Sequence, residues 1–290
     1  MPGNPCEKYC GRVYWCCVYC CRCFRPLKKD LVKLLMKAAQ RNDETMLEYT
    51  FVRCQMETER SKGKLQSHDV LNSLGDDGLG ALHYCAKNDA LTMLLRLMNT
   101  PRIDLNIVDS RGFTPLHIAC KRGHNACTGM ILNFGASVNV LDRKKNTPLV
   151  LAASGGHRAS VKALVDHGAN QDVKNILGLT ALMASIIHQQ ESTAIFLIKV
   201  GSDVTVADSH GNTALHYAAE ANMLKVAKFL MENGARCRTY NKFNETPLLE
   251  SKRQMNPLMQ TLLSEFDEKQ QRKIKEAKLE KNHIVKLEVA

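Results

Sequence analysis

Asp109-Ser110-Arg111-Gly112-Phe113-Thr114-Pro115-Leu116-His117-Ile118-Ala119-Cys120 is the stretch that decides how this chain folds. Thr114 is a good helix N-cap, because its hydroxyl can accept a hydrogen bond from a backbone N–H left without a partner in the first turn. Pro115 follows at the first helical position, where a missing N–H costs nothing and the fixed φ already suits a helix. Gly112 supplies a turn conformation that a Cβ resists. The phrase predicts a turn feeding a short helix.

The chain repeats it. Thr114, Thr147, Thr180, Thr213 and Thr246 stand 33 residues apart, and Gly80 takes the matching place 34 residues before Thr114. Gly123-His124 and Gly156-His157 read as the close of the first helix in two copies. A second apolar-periodic helix follows, as in Val161, Leu164 and Val165. It ends at Gly135-Ala136, Gly168-Ala169, Gly201-Ser202 or Gly234-Ala235, where glycine suits a left-handed C-cap. No single unit of this size can bury the apolar faces of two helices, so neighbouring units must stack.

Through T-P-L-H-x-A, G-H and the later G-A-x-x-N, the chain resembles the ankyrin repeat family over residues 75 to about 256, with Leu31 to Phe51 as a degenerate first unit. The resemblance implies an all-α fold, an ankyrin-repeat solenoid of stacked helix-turn-helix units with β-hairpin tips. It also implies a concave face, made of tips and first helices, that recruits a protein partner. His83, His117 and His216 match the family's structural histidine, which implies hydrogen bonds to backbone between units. Departures are local: Gly80-Ala81 for Thr-Pro, Lys145 and Asn244 for the turn glycine, and Val150, Met183 and Leu249 for His. They predict weaker capping in those copies, not another fold.

Positions that the repeat leaves free are the candidates for recognition. In the second and third copies they include Ser110, Arg111, Phe113, Lys121, Arg122, Arg143 and Lys144. Later copies contribute Ile176, Leu177, Leu179 and His188, then Ser209, His210 and Glu220, and finally Lys242, Phe243, Glu245 and Arg253. The basic cluster with Phe113 as an aromatic anchor suits an acidic peptide or protein surface. Cys85 and Cys120 fall in the small-residue slots of the first helices and read as buried packing thiols.

Four segments follow from this pattern: residues 1–29, rich in cysteine; 30–73, a helical capping unit; 74–256, the repeats; and 257–290, a charged helical tail interrupted from the last repeat helix by Pro257. In the capping unit, 57–67 reads as an exposed turn or loose helix end. In the tail, Glu265 with Lys269 and Glu268 with Arg272 have the acid-first spacing of a solvated helix.

Of twelve cysteines, Cys6, Cys10, Cys16, Cys17, Cys20, Cys21 and Cys23 crowd the first segment beside Tyr14, Trp15, Tyr19, Arg22 and Arg25. Thiols among aromatic and basic residues fit S-acylation of Cys16, Cys17, Cys20, Cys21 and Cys23, which would place the protein on the cytoplasmic face of a membrane. The spacings Cys17-x-x-Cys20 and Cys20-x-x-Cys23 also suit a zinc site, and a plain tail is the third reading. A zinc-bound or unmodified segment would belong instead to a soluble regulator of the cytosol or nucleus.

No run of apolar residues is long enough to cross a bilayer, and the N-terminus has no uninterrupted apolar signal region, which points to a cytoplasmic protein with reduced thiols. The net charge of +11 favours anionic partners. Its scatter over tails and tips, without an aromatic-interleaved groove, argues against nucleic acid. No Gly-rich phosphate loop, H-E-x-x-H or G-x-S-x-G occurs, so the reading is a non-enzymatic adaptor needing no cofactor or metal.

Overall fold

The thirty-three-residue period becomes a row of helix pairs in the computed structural model, which describes residues 28–60 and 67–288. The cysteines assigned to acylation, Cys16, Cys17, Cys20, Cys21 and Cys23, lie outside the described residues. The chain starts with α1 (Lys28–Arg41) and α2 (Glu44–Arg60), joined by a turn in which Asn42 is left-handed. Leu31, Leu35, Ala38 and Ala39 of α1 are fully buried, as the apolar spacing predicts, and Leu47, Thr50 and Cys54 of α2 meet them. Glu57 is also buried, because α2 continues past it; the expected exposed stretch does not begin there. A single helical turn, α3 (Ser67–Leu71), packs against both.

Six pairs follow: α4 (Ala81–Asn88) with α5 (Leu91–Met98), α6 (Pro115–Arg122) with α7 (Asn125–Asn133), and α8 (Pro148–Ser154) with α9 (Arg158–Asp166). Next come α10 (Ala181–Ile187) with α11 (Glu191–Val200), α12 (Ala214–Glu220) with α13 (Leu224–Glu232), and α14 (Pro247–Arg253) with α15 (Pro257–Glu288). First helices pack in one layer from α1 through α14, and second helices form the other layer from α5 through α15.

First helices of seven or eight residues would not hold alone in water, so packing must supply what length cannot. α6 buries six consecutive residues, Pro115 to Cys120, because it has a neighbour on each side and its own partner behind it. Ala119-Cys120, Ala152-Ala153 and Ala218-Ala219 are all fully buried, and their small side chains let the helices approach. Leu116, Leu149, Leu182 and Leu215 recur at one position with at most 1% exposure. Each such leucine contributes about 1.5–3 kcal/mol by leaving water.

The turn residue is left-handed in every copy: Gly78, Gly112, Lys145, Gly178, Gly211 and Asn244 have φ of 75°, 80°, 56°, 79°, 82° and 60°. Lys145 and Asn244 thus keep the conformation of the glycine they replace, at the cost of a Cβ in that region. The tips are tight turns closed by paired backbone bonds such as Asp109 N–H to Phe113 O (2.9 Å). Where hairpins were expected, pairing among the described residues reduces to the isolated bridges Leu74–Gly80 and Ala207–Thr213.

Gly123 ends α6 in the left-handed region, and the N–H groups of His124 and His157 donate back to Ala119 O and Ala152 O, both at 3.0 Å, closing the first helices as expected. The same two residues stand at the N-cap positions of α7 and α9, without a side-chain cap bond. Pro257 does not interrupt a helix but opens α15, whose Met259 and Leu263 are buried against α13 and α14. Arg238 grips Asp267 of α15 at 2.8–2.9 Å, and Gln270 donates to Ala235 O at 2.8 Å. The start of the charged tail is therefore the second helix of the last pair.

The tip and first-helix face

From the second copy on, each tip is organised by one side chain that bonds its own backbone; the first copy has Gly75 at that position. Asp109 Oδ1 accepts from the N–H groups of Arg111 and Phe113, both at 2.8 Å. Asp142, Asn175, Asp208 and Asn241 repeat the arrangement at 2.7–3.0 Å. Burial pushes the Asp109 carboxyl up, but those N–H groups and the Arg111 guanidinium outweigh it and hold the group below the usual carboxylate range. Adjacent tips are then tied by backbone: Arg143 N–H to Arg111 O (3.2 Å), Ile176 to Lys144 (3.1 Å), Ser209 to Leu177 (3.2 Å) and Lys242 to His210 (2.9 Å). The side chains at these positions are exposed.

The repeated histidines serve the scaffold. Nδ1 of His83, His117 and His216 accepts the N-cap N–H of Gly80, Thr114 and Thr213 at 3.0, 3.2 and 3.0 Å. Their Nε2 atoms face the carbonyls of Phe113, Asn146 and Glu245 in the next copy, at 2.8, 3.2 and 3.3 Å. With Nδ1 committed as an acceptor, the proton sits on Nε2 and each ring is neutral. Burial lowers all three pKa values from the ordinary histidine range.

This has a consequence for stability. The unfolded chain takes up protons near pH 6.5, while the folded chain resists them to lower pH. Stability is therefore complete above about pH 6.5 and falls as the pH drops below it, by up to roughly tenfold in the folded-to-unfolded ratio per pH unit for each histidine. Urea midpoints should decrease from pH 7.5 to pH 5.5, and a His117→Gln variant should show a shallower decrease. A midpoint unchanged over that interval would contradict the assignment.

The buried thiols are inert for the same reason. Burial pushes Cys120 up to about 12 and raises Cys85 further, so neither carries a thiolate near neutral pH. Thr114, Thr147, Thr180 and Thr246 accept from the third helical N–H as N-caps should.

Of the side chains expected to carry recognition, Ser110, Arg111, Lys121, Arg122, Arg143 and Lys144 are exposed, as are Ser209, His210, Lys242 and Phe243. Phe113 is not: only 9% of it is exposed, and it stacks on His117 with ring centroids 5.7 Å apart. The Arg111 guanidinium and Lys121 ammonium lie over its ring at 4.7 and 5.4 Å. Phe113 therefore backs two cations instead of anchoring a partner itself. Arg111 also pairs with Asp109 at 3.0 Å, whereas Lys121, Arg122, Arg143 and Lys144 form no ion pair among the described residues.

The exposed aromatic lies at the other end. Phe243, 67% exposed, stacks on His210 with centroids 6.3 Å apart. Beside it a cavity of about 380 Å³ is lined by Tyr217, Glu220, Glu245, Glu250 and Arg253, among others. Tyr217 and Glu250 escaped the sequence reading. Both stand four residues after the threonine anchor, a position that varies from copy to copy and could have signalled them.

Four overlapping segments of the chain, 27–142, 82–175, 123–208 and 171–241, match a family model described as ankyrin repeats in three copies. A stretch of 55 residues is 42% identical to the SMC5-SMC6 complex localization factor protein 1 of Bos taurus and of Homo sapiens, covering 19% of this chain and 5% of each of those proteins. The Mus musculus protein of that name is 43% identical over 56 residues, with the same coverage. The chain thus spans about 5% of the length of the curated relatives it matches. The crystal structure of the ankyrin repeat domain of Bcl-3, described as a unique member of the IkappaB protein family, gives a TM-score of 0.68 at 20% identity, covering 80% of this chain and 97% of that one. At that identity the likeness is one of fold.

Proposed function

The chain belongs to the ankyrin repeat family, whose stacked units serve protein interaction, and on that premise we propose that it is a non-enzymatic adaptor tethered to a membrane. The tip and first-helix face is its concave binding surface, and S-acylation of Cys16, Cys17, Cys20, Cys21 and Cys23 is its tether. One observation carries the binding half: Lys121, Arg122, Arg143 and Lys144 stand exposed and unneutralised on adjacent tips and first helices. Such a patch attracts an acidic protein, and steers its approach most strongly at low salt.

The tether rests on chemistry. One acyl chain binds a bilayer marginally, while a second chain or a basic cluster makes anchoring stable, each CH₂ adding about 0.8 kcal/mol. Several adjacent thiols beside Arg22, Arg25, Lys28 and Lys29 supply both elements. In fractionated cells the protein should pellet with membranes, leave them after neutral hydroxylamine, and stay soluble when the five cysteines are replaced by serine. Pelleting that resists hydroxylamine and survives the replacement would overturn the tether and leave the binding face untouched.

A further inference from the structure

The face proposed as the binding surface changes chemistry along the stack. Its second and third copies are basic, as described. The fourth is apolar: Ile176, Leu177 and Ile187 are 56%, 52% and 38% exposed on the tip and first helix. The fifth and sixth present Glu220, Glu245 and Glu250 around one cavity with Tyr217 and Phe243. Arg253 lies among these carboxylates, its Nη1 3.0 Å from Glu245 Oε1 and 3.6 Å from Glu250 Oε2. One guanidinium meets two of the three carboxylates and Glu220 lines the same cavity, so the balance of its charged lining is negative.

We propose that this face takes a single extended peptide segment whose chemistry runs acidic, apolar, cationic, with its acids over the second and third copies and its Arg or Lys in the cavity between the fifth and sixth. Resting on the reading of this face as the binding surface, the inference adds the order of chemistry in the partner. Arg253 in the cavity wall shows a guanidinium held by two of these carboxylates, and the exposed Phe243 ring adds a surface on which a further cation can lie. Between the charged ends, apolar side chains of the segment would cover Ile176, Leu177 and Ile187.

The two charged ends also exclude. A uniformly acidic segment long enough to span the face would set its far end against Glu220, Glu245 and Glu250, where like charges repel. Spans agree with this arrangement. Packed helix layers are roughly 8–10 Å apart, so four steps from the second copy to the sixth cover about 40 Å. An extended chain at about 3.3 Å per residue crosses that distance in about twelve residues.

Selection from a displayed library of random 16-residue peptides on the full chain tests this. Enriched sequences should carry acidic residues at one end and Arg or Lys at the other, flanking apolar residues. A synthetic peptide of that design should bind at least tenfold more weakly to Glu220→Gln/Glu250→Gln and to Arg143→Glu/Lys144→Glu. Neutralising its basic end should remove the effect of the first pair, while leaving that of the second. Enriched peptides that are acidic throughout, and indifferent to Glu220→Gln/Glu250→Gln, would overturn the ordered segment and leave the basic binding face standing. Enrichment with no acidic residues, or none at all, would overturn both.

Discussion

Gly178→Ala should destabilise the stack far more than Gly168→Ala, although both glycines are left-handed, with φ of 79° and 81°. A Cβ in that region costs roughly 1–2 kcal/mol, a penalty common to the two sites. At Gly168 the added methyl would meet nothing within 4 Å. At Gly178 it would sit 2.5 Å from the backbone nitrogen of Ser209 and 2.9 Å from the Asp208 carbonyl carbon. That nitrogen donates to Leu177 O at 3.2 Å, one of the bonds that ties successive tips together. Backbone cannot swing aside as a side chain can, so the fourth and fifth copies must separate, at about 1–3 kcal/mol beyond the shared cost.

Lys145 carries a Cβ in the same left-handed turn, at φ of 56°, and its tip still bonds the next through Ile176 N–H to Lys144 O at 3.1 Å. Since each unit is stabilised by its neighbours, loosening one junction also uncouples the units on either side. Urea unfolding followed by circular dichroism should show a clearly lower midpoint for Gly178→Ala, with a broadened or split transition. Equal midpoints for the two variants would contradict the close approach.

What could be read in advance follows from how local each signal was. Thr114, Pro115 and Gly112 specify a turn and a helix start within a few residues, so the period alone exposed the architecture. Phe113 misled because its cover is supplied by Arg111 and Lys121, whose reach over the ring no spacing rule reports. Gly123-His124 and Gly156-His157 mark where the first helices close, but the pair does not say that each histidine also stands at the N-cap of the next helix. Pro257 suits a helix start as well as it breaks a helix interior, and the burial of Met259 and Leu263 decides between these. The cavity beside Phe243 was hidden for a related reason. Tyr217 and Glu250 reach it from the fourth position after the threonine anchor, which in other copies carries Ile118, Leu151 or Ala184 and reads as packing.

The second large effect concerns binding. Arg143→Glu/Lys144→Glu turns two positive charges into two negative ones at the centre of the basic face, on side chains that take no part in an ion pair among the described residues. Their backbone bonds to the neighbouring tips are kept, so the fold should hold. An acidic partner that met attraction would then meet repulsion, a change on the order of a hundredfold or more in affinity, diminishing as salt screens the charges. Arg111 is left unchanged, because it pairs with Asp109 and covers Phe113. Lys162→Glu/Arg236→Glu makes the same change in net charge at exposed sites outside the tips and first helices, and separates a local effect from one of overall charge.

Quantitative capture of associated proteins with the tagged chain and these two variants is the most direct measurement. The account predicts a set of acidic proteins held by the unaltered chain and by Lys162→Glu/Arg236→Glu but lost from Arg143→Glu/Lys144→Glu. The same proteins on all three, or a loss confined to Lys162→Glu/Arg236→Glu, would contradict it.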